Sequence, residues 1–415
     1  MITREEADAV AAVWAARDSQ RRGYDCTPMV HEFDQGFLVW SRQPHGVMVQ
    51  PDDGGTTVID RVTGEISSYP SLPPDAVAQQ YRQARAVRGE RILTADPQVE
   101  LRRLISRLPV PTTAIHLTVG SDQHGYEMFI ARGAKGDQTL NHHPLVVAYL
   151  NALPRGHVVR GGDRHAELIV LSDALHEYDR RRAAVGWPLL TVDDARLLFQ
   201  GCQFETHRVR EPGDPNGGKS HQPAESSIRA LVHFGVLHPD DLVWAEEMEP
   251  WAPPPGVADP DPARFPPDVC EVLKSSAWEP SFSYPMFAQA SIDVAVQAGG
   301  HTPFPAAVAA LTAFPSLVSM RRRPGRDVWI RQFDIDPRET AHNAATLADF
   351  GRVIGSRLFP IGTEEGDSIL AVDERGYIFA IDQAGEWFIA PGIDQAVIAL
   401  IQGHGAARVR DDGSW

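Results

Sequence analysis

A proline-rich stretch at residues 251–262 strongly constrains how this chain can fold. The stretch contains Trp251-Ala-Pro-Pro-Pro255 and Asp259-Pro-Asp-Pro262. Proline fixes φ and has no backbone N–H, so neither a helix interior nor a central strand can run through these residues. The sequence therefore predicts an extended linker at 251–262 that separates domains. A length of 415 residues suits two or three of them.

The first block, residues 1–88, has the pattern of a small α+β module. Thr3 and Glu6 form a capping-box pattern ahead of apolar residues at helical spacing. Short β-prone runs follow at 37–40, 47–49 and 57–59. Gly64 suits a tight turn between strands, and a helix over 74–86 closes the block.

The second block, residues 89–250, alternates strand-like and helix-like segments. After a first helix that ends at Pro109, it has strand-like runs at 115–119 and 128–131, a short one at 158–159, and several amphipathic helices. This alternation predicts a central α/β/α sandwich.

The third block, residues 263–415, again mixes helices and strands. An alanine-rich helix is predicted over 305–313 and a closing helix over 393–401. Four β-prone runs lie between them, at 328–335, 369–372, 377–381 and 386–389. The predicted fold class is therefore multidomain, with α+β modules at both ends of the chain and an α/β block between them.

The composition argues against several classes of partner. Lys and Arg total 39 against 55 Asp and Glu, a net charge of −16, which disfavours binding to duplex nucleic acid. The cysteines Cys26, Cys202 and Cys270 lie far apart without a C-x-x-C pair, which favours a reducing cytoplasm. The most apolar stretch, 302–320, contains three prolines, so we expect no membrane-spanning helix and no membrane partner.

His165 and Glu167 are the main candidates for chemistry. The triplet His165-Ala-Glu167 follows a Gly-Gly turn and opens a long helix. Among 16 histidines, about one such triplet is expected by chance, so its position matters more than its presence. The competing interpretation is a polar start to a surface helix.

Three motifs in the second block put this triplet into a wider pattern. They are Gly162-Asp-Arg-His165-Ala-Glu167, Arg208-Val-Arg-Glu-Pro-Gly-Asp214, and Gln222-Pro-Ala-Glu-Ser-Ser227. With these motifs, residues 89–250 resemble the YwqJ-type branch of the nucleic-acid and nucleotide deaminase superfamily. The resemblance implies a zinc ion held by one histidine and two cysteines that activates water, and a glutamate that shuttles protons.

The chain departs from that family at both cysteine positions. His165 matches the histidine ligand and Glu167 the proton shuttle, but Ala224 and Ser227 stand where the family has cysteines. Alanine has no ligating atom, and serine offers a neutral hydroxyl in place of a thiolate. The resemblance therefore implies a deaminase fold that has lost its metal, with a vestigial ligand, a vestigial proton shuttle and no cofactor.

An alternative keeps the zinc with rearranged ligands. Cys202, His207 and His221 lie in the same block and carry ligating atoms. In that case the block would be an active zinc-dependent nucleobase deaminase. The competing interpretation of these three residues is a buried strand cysteine and two loop histidines.

The flanking blocks resemble immunity proteins. Phe265-Pro-Pro-Asp-Val269, Leu358-Phe-Pro-Ile-Gly362 and Leu370-Ala-Val-Asp373 are among the motifs by which residues 263–405 resemble the SUKH superfamily, third type. The first block is similar to the YrhB-like immunity family through Val58-Ile-Asp60-Arg-x-Thr63-Gly64-Glu65. Both resemblances imply domains that bind and neutralise toxins without catalytic machinery.

Together these observations predict a cytoplasmic binding protein of the bacterial polymorphic toxin–immunity type. The expected partner is a protein toxin, and an acidic surface suits a basic one because opposite potentials steer association. Two alternatives stay open at this point. One is the active deaminase, and the other is a non-catalytic scaffold whose middle block only spaces its neighbours.

Overall fold

The computed structural model describes residues 1–47, 55–89, 91–121, 125–279 and 285–415. The chain divides into two units, Met1–Pro109 with Gly136–Asn141, and Val110–Lys135 with His142–Trp415. The second unit thus contains both most of the middle block and all of the third block. Most of the β-prone run predicted over 47–49 lies outside the described residues.

The first unit is an antiparallel meander covered by helices. Its helices are α1 (Arg4–Arg22), α2 (Pro74–Arg88) and α3 (Pro97–Ser106). Its sheet has the order β1 (Thr27–Phe33), β2 (Gly36–Arg42), β3 (Thr56–Asp60) and β4 (Ile66–Tyr69). The predicted capping box is confirmed, because Glu6 N–H donates to Thr3 Oγ1 at 3.1 Å and Thr3 N–H donates to the Glu6 carboxylate at 2.8 Å. Helix α3, expected in the second block, contributes Leu101 to the core beneath α1.

The predicted turn after β3 is also confirmed. Asp60 Oδ1 accepts hydrogen bonds from the backbone of Val62 and Thr63, both at 2.8 Å, and Gly64 has a φ of +77°. The Tyr81 hydroxyl on α2 donates to Asp60 Oδ2 at 2.6 Å. The motif that carried the resemblance of this block is therefore also a device that forms a hairpin and anchors α2 to it.

The second unit begins with a three-stranded antiparallel sheet. Strand β5 (Thr112–Ser121) lies between β6 (Gly125–Arg132) and β7 (Gln203–Val209). The associated helices are α4 (Pro144–Ala152), α5 (Ala166–Ala184), α6 (Val192–Leu198) and α7 (Glu225–His233). Helix α5 covers one face of the sheet, while Tyr126, Met128 and Ile130 on the other face of β6 are exposed. The prediction of a strand over 158–159 was wrong, because this segment is a loop whose carbonyl at Val158 accepts a hydrogen bond from Trp329 N–H at 2.9 Å.

A seven-stranded antiparallel meander forms the rest of the second unit. Its strands, in sheet order from one edge, are β8 (Val318–Ser319), β9 (Phe333–Asp334), β10 (Leu358–Glu364), β11 (Ser368–Asp373), β12 (Ile378–Asp382), β13 (Gly385–Ala390) and β14 (Ala407–Arg408). Its helices are α8 (Pro267–Ser275), α9 (Pro285–Gly299), α10 (Pro305–Ala313), α11 (Ala344–Ile354) and α12 (Ile393–Gln402).

The central strands of this meander are buried on both faces. Leu370 and Val372 of β11 belong to one apolar cluster with α8, α10 and α12, while Ile369 and Ala371 belong to another with α11. Alternate side chains of a strand point to opposite faces, so two helical layers enclose the sheet.

The predicted fold class, a multidomain mixture of helices and sheets, is confirmed. The predicted helices over 305–313 and 393–401 and the three strands between 369 and 389 are also confirmed. The run predicted over 328–335 forms a strand only at Phe333–Asp334, and β10 was not predicted. Residues 251–262 contain neither a helix nor a strand. None of the helices within the described residues is both long and apolar enough to cross a bilayer.

A buried ion network joins the loop before α5 to the seven-stranded sheet of the second unit. The guanidinium of Arg160, which lies in the loop before α5, is 8 % exposed and contacts Glu364 on β10. It also lies 3.2 Å from Asp382 on β12 and donates to the Ser368 hydroxyl at 3.3 Å. A buried cation between two buried carboxylates makes the packing of the blocks mutually dependent.

We expect Arg160→Ala to lower the free energy of unfolding of the second unit by about 3–5 kcal/mol, because it leaves two buried carboxylates without their cation. Arg357→Ala is the matched control, since its ion pair with Glu374 is exposed and such surface pairs contribute little to stability. Urea denaturation, monitored by circular dichroism, measures the free energy of unfolding of both variants and the parent. Equal, small losses in the two variants would contradict the structural role given to Arg160.

Candidate functional site

His165 and Glu167 lie at the start of α5, where a glycine-containing turn positions them. His165 is the N-cap residue and Glu167 lies in the first turn of the helix. Both side chains are buried, with 3 % and 0 % exposure, so the surface-helix interpretation was wrong. Gly161, which has a φ of +64°, allows the turn to pack closely against Trp387, because a Cβ at position 161 would lie 2.5 Å from the ring of that tryptophan.

Helix α7 begins beside the same point. Ala224 is its N-cap residue and Ser227 lies in its first turn, with a buried side chain. The Ser226 hydroxyl accepts a hydrogen bond at 3.2 Å from Val159 N–H, in the loop that leads to α5. His165 and Ala224 line one small cavity, so the amino ends of two helices meet there.

Burial shifts both titratable groups of the pair toward their neutral forms. It lowers the pKa of His165 to about 4 and raises the pKa of Glu167 to about 7. The His165 Nδ1 atom lies 4.0 Å from Glu167 Oε2. Within the described residues, His165 Nδ1, Glu167 Oε1 and the Ser227 hydroxyl have no hydrogen-bond partner. Both side chains of the pair thus bury polar atoms in the interior of the unit.

The donor atoms here do not fit a zinc ion. A catalytic zinc takes three protein ligands, and His165 supplies only one, since Ala224 has no donor and Ser227 has a neutral hydroxyl. No chemical step through a metal can be derived for this arrangement.

The substitute ligands considered from the sequence do not assemble around His165. The Cys202 thiol lies 3.7 Å from the carbonyl oxygen of Val236, and burial raises its pKa to about 11. The His221 ring contacts the Thr113 hydroxyl at 3.1 Å and the Gln222 carbonyl at 2.7 Å. His207 contributes to a different cluster, with His116 and Glu205.

The turn between β12 and β13 of the third block closes the His165–Glu167 site. Gln383 Oε1 accepts a hydrogen bond from Ala166 N–H at 3.1 Å, and its Nε2 donates to Glu167 Oε2 at 3.4 Å. One amide side chain thereby both caps α5 and contacts the carboxylate. Nothing in the local sequence of this turn indicates such a role.

The turn is held rigidly in this position. Asp382 Oδ1 accepts from Ala384 N–H at 2.9 Å and from Trp387 Nε1 at 3.0 Å. A Cβ at Gly133 would lie 2.3 Å from the Gln383 carbonyl oxygen, so only glycine allows this approach. The space left beside His165 is about 10 Å³, close to what a single water molecule needs.

The Arg208–Asp214 motif also contacts the third block. Arg208 Nε donates a hydrogen bond to Asp367 Oδ1 at 3.0 Å. The Glu211 carboxylate accepts hydrogen bonds from the backbone N–H groups of Thr346, at 2.5 Å, and Ala345, at 3.1 Å. These amides lie in the first turn of α11, where a carboxylate is favoured. Charged side chains of this motif therefore take part in the junction with the third block.

We expect Glu167→Gln to stabilise the second unit at high pH only. The folded-state pKa lies above the ordinary value of 4.5, so the cost of ionising Glu167 is absent below about pH 4.5 and is fully present above about pH 7. The variant should therefore unfold like the parent near pH 5 and be more stable, by a few kcal/mol at most, above about pH 8. The contributions of all other ionisable groups are the same in the parent and the variant, so they cancel in this comparison.

The stability difference is measured by urea unfolding at both pH values. The proteins compared are the parent, Glu167→Gln and Glu247→Gln. Glu247 is an exposed residue of the same unit, and its substitution is the control. A gain for Glu167→Gln that is equal at both pH values would mean that burial does not perturb this carboxyl.

Comparison with known families finds two matches outside the middle block. Residues 265–403 match the family model described as SUKH-3 immunity protein, which confirms the resemblance of the third block. Residues 5–90 match the family described as Immunity protein 35-like domain, which confirms the immunity type of the first block. Curated proteins and solved structures give no significant match. The chain therefore carries an Immunity protein 35-like domain followed by a SUKH-3 immunity domain.

Proposed function

We propose that this chain is a toxin-binding protein in which two immunity domains flank an inactive, deaminase-like block. The observation that carries the proposal is the contact of Gln383, from the SUKH-3 domain, with Glu167 and the start of α5. In this arrangement an immunity domain covers, within one chain, the residues that match a deaminase site. The middle block then serves as a binding element and not as an enzyme.

The dimensions of the site support a non-catalytic role. Ligand pockets usually measure about 300–1,000 Å³, whereas the space beside His165 is about 10 Å³. A nucleobase could enter only if the turn at Gln383 moved away. That movement would also separate Asp382 from Arg160, which lie 3.2 Å apart in a buried network.

Charge and composition support the class of partner. A net charge of −16 favours association with a basic protein, as toxins directed at nucleic acids commonly need to be. The first block would act as a YrhB-like immunity module that binds a second toxin or a second surface of the same one. The cytoplasm is the compartment in which such a partner would be met, and three scattered cysteines fit it.

We expect no deamination that depends on Glu167. The purified full chain, Glu167→Ala and the control Glu247→Ala are incubated with single-stranded DNA, RNA and free nucleosides in zinc-containing buffer, and deaminated bases are measured by mass spectrometry. In parallel, the parent and Glu167→Ala are co-expressed in bacteria with a panel of basic, nucleic-acid-directed toxin domains.

Growth rescue that is equal for the parent and Glu167→Ala is expected, because binding does not need the proton shuttle. A deaminated product that disappears in Glu167→Ala but persists in Glu247→Ala would overturn the proposal in favour of an active enzyme. Rescue that is lost in Glu167→Ala, with the fold intact, would overturn it as well.

The deaminase origin of the middle block has its own test. If positions 224 and 227 correspond to lost ligands, Ala224→Cys with Ser227→Cys supplies two thiolates at a helix amino end, where thiol pKa values fall. With His165 they complete the three protein ligands of a catalytic zinc site. We expect the double variant to retain one zinc per chain more than the parent after identical dialysis.

Adding His165→Ala should remove that extra zinc, whereas adding His238→Ala should not. Elemental analysis of the four proteins gives the zinc content. A folded double variant with no extra zinc would mean that these positions are not former ligand positions.

A further inference from the structure

The outer face of the three-stranded sheet carries a cluster that the proposed function does not use. On the central strand β5, His116 pairs in register with Glu205 of β7. His207 lies two residues beyond Glu205, so its side chain emerges on the same face. No local pattern brings these residues together, because β5 and β7 are far apart in the chain.

The three side chains converge. One potential ligand atom from each of His116, Glu205 and His207 lies within 4.8 Å of the others. The imidazole rings have centroids 5.4 Å apart and are tilted by 59°, and Glu205 Oε2 lies 3.6 Å from His207 Nε2. The described residues donate or accept no hydrogen bond at either imidazole ring, so the ring nitrogens are available.

We infer that His116, Glu205 and His207 bind a divalent transition-metal cation of the zinc class. Two imidazoles and one carboxylate are a ligand set that such ions prefer, while magnesium and calcium prefer oxygen donors. Three protein ligands leave a further coordination position for water or for a donor atom of a partner.

Binding a metal ion would require the three ligand atoms, now within 4.8 Å of one another, to move closer together. Ligand atoms on a tetrahedral zinc lie about 3.4 Å apart, given bonds of about 2.0–2.1 Å. The Glu205 side chain is 63 % exposed and that of His207 is 36 % exposed, so neither is locked by packing. This site is separate from His165, which does not belong to the cluster. The sequence suggested His207 only as a substitute zinc ligand of the middle block, and it did not suggest His116 or Glu205.

Calorimetric titration of the metal-stripped full chain with zinc chloride tests the site. The parent should bind one zinc, and His116→Ala and His207→Ala should each weaken binding at least about tenfold. His238→Ala is the matched control, because His238 also lies beside a carboxylate, at 3.2 Å from Asp240, but has no second histidine. His165→Ala should bind zinc like the parent.

Two further measurements sharpen the test. Magnesium should give no comparable binding, and zinc affinity should fall on acidification because imidazole ligands must be neutral. Circular dichroism checks that each variant is folded. Absence of zinc binding by the parent, or binding that survives both His116→Ala and His207→Ala unchanged, would overturn the inference.

Discussion

The buried ion network around Arg160 is the interaction on which the second unit depends. Its cation comes from the middle block, while Glu364 and Asp382 come from two strands of the SUKH-3 domain. Charges can be buried only when they are paired, so neither block could bury its own share without the other. A second ion pair, between the half-buried side chains of Arg208 and Asp367, crosses the junction at another point with a distance of 3.0 Å. The two blocks therefore form one unit despite the linker between them.

This junction also determines what the His165–Glu167 pair can do. Helix α5 is buried nearly all round in its first ten residues, because a sheet covers one side and the turn at Gln383 closes its start. A helix in that position cannot present its first turn to a substrate. Burial keeps the imidazole neutral and moves the carboxyl toward its protonated form, which lowers the cost of holding both groups in the interior.

The middle sheet separates two environments. Its inner face packs under α5, while its outer face leaves Tyr126, Met128 and Ile130 exposed beside the His116–Glu205–His207 cluster. Alternation along each strand produces this division, since neighbouring side chains point to opposite faces. A closed site and an open, ligand-rich surface therefore coexist within one small sheet, and only the open one can be reached from solvent.

The sequence by itself determined the features that rest on local interactions. The capping box at Thr3, the turn at Asp60–Gly64 and strands β11 to β13 were all predictable, because hydrogen bonds and side-chain alternation within a few residues specify them. Strand β10 was not predictable in this way, because Pro360 and the register shift beside it disturb the alternating strand pattern. Only the tertiary structure decided that Gln383 closes the site at Glu167 and that His116 meets His207. Those contacts depend on which distant surfaces bury each other's charges and on the register of distant strands, and no short stretch of sequence encodes either.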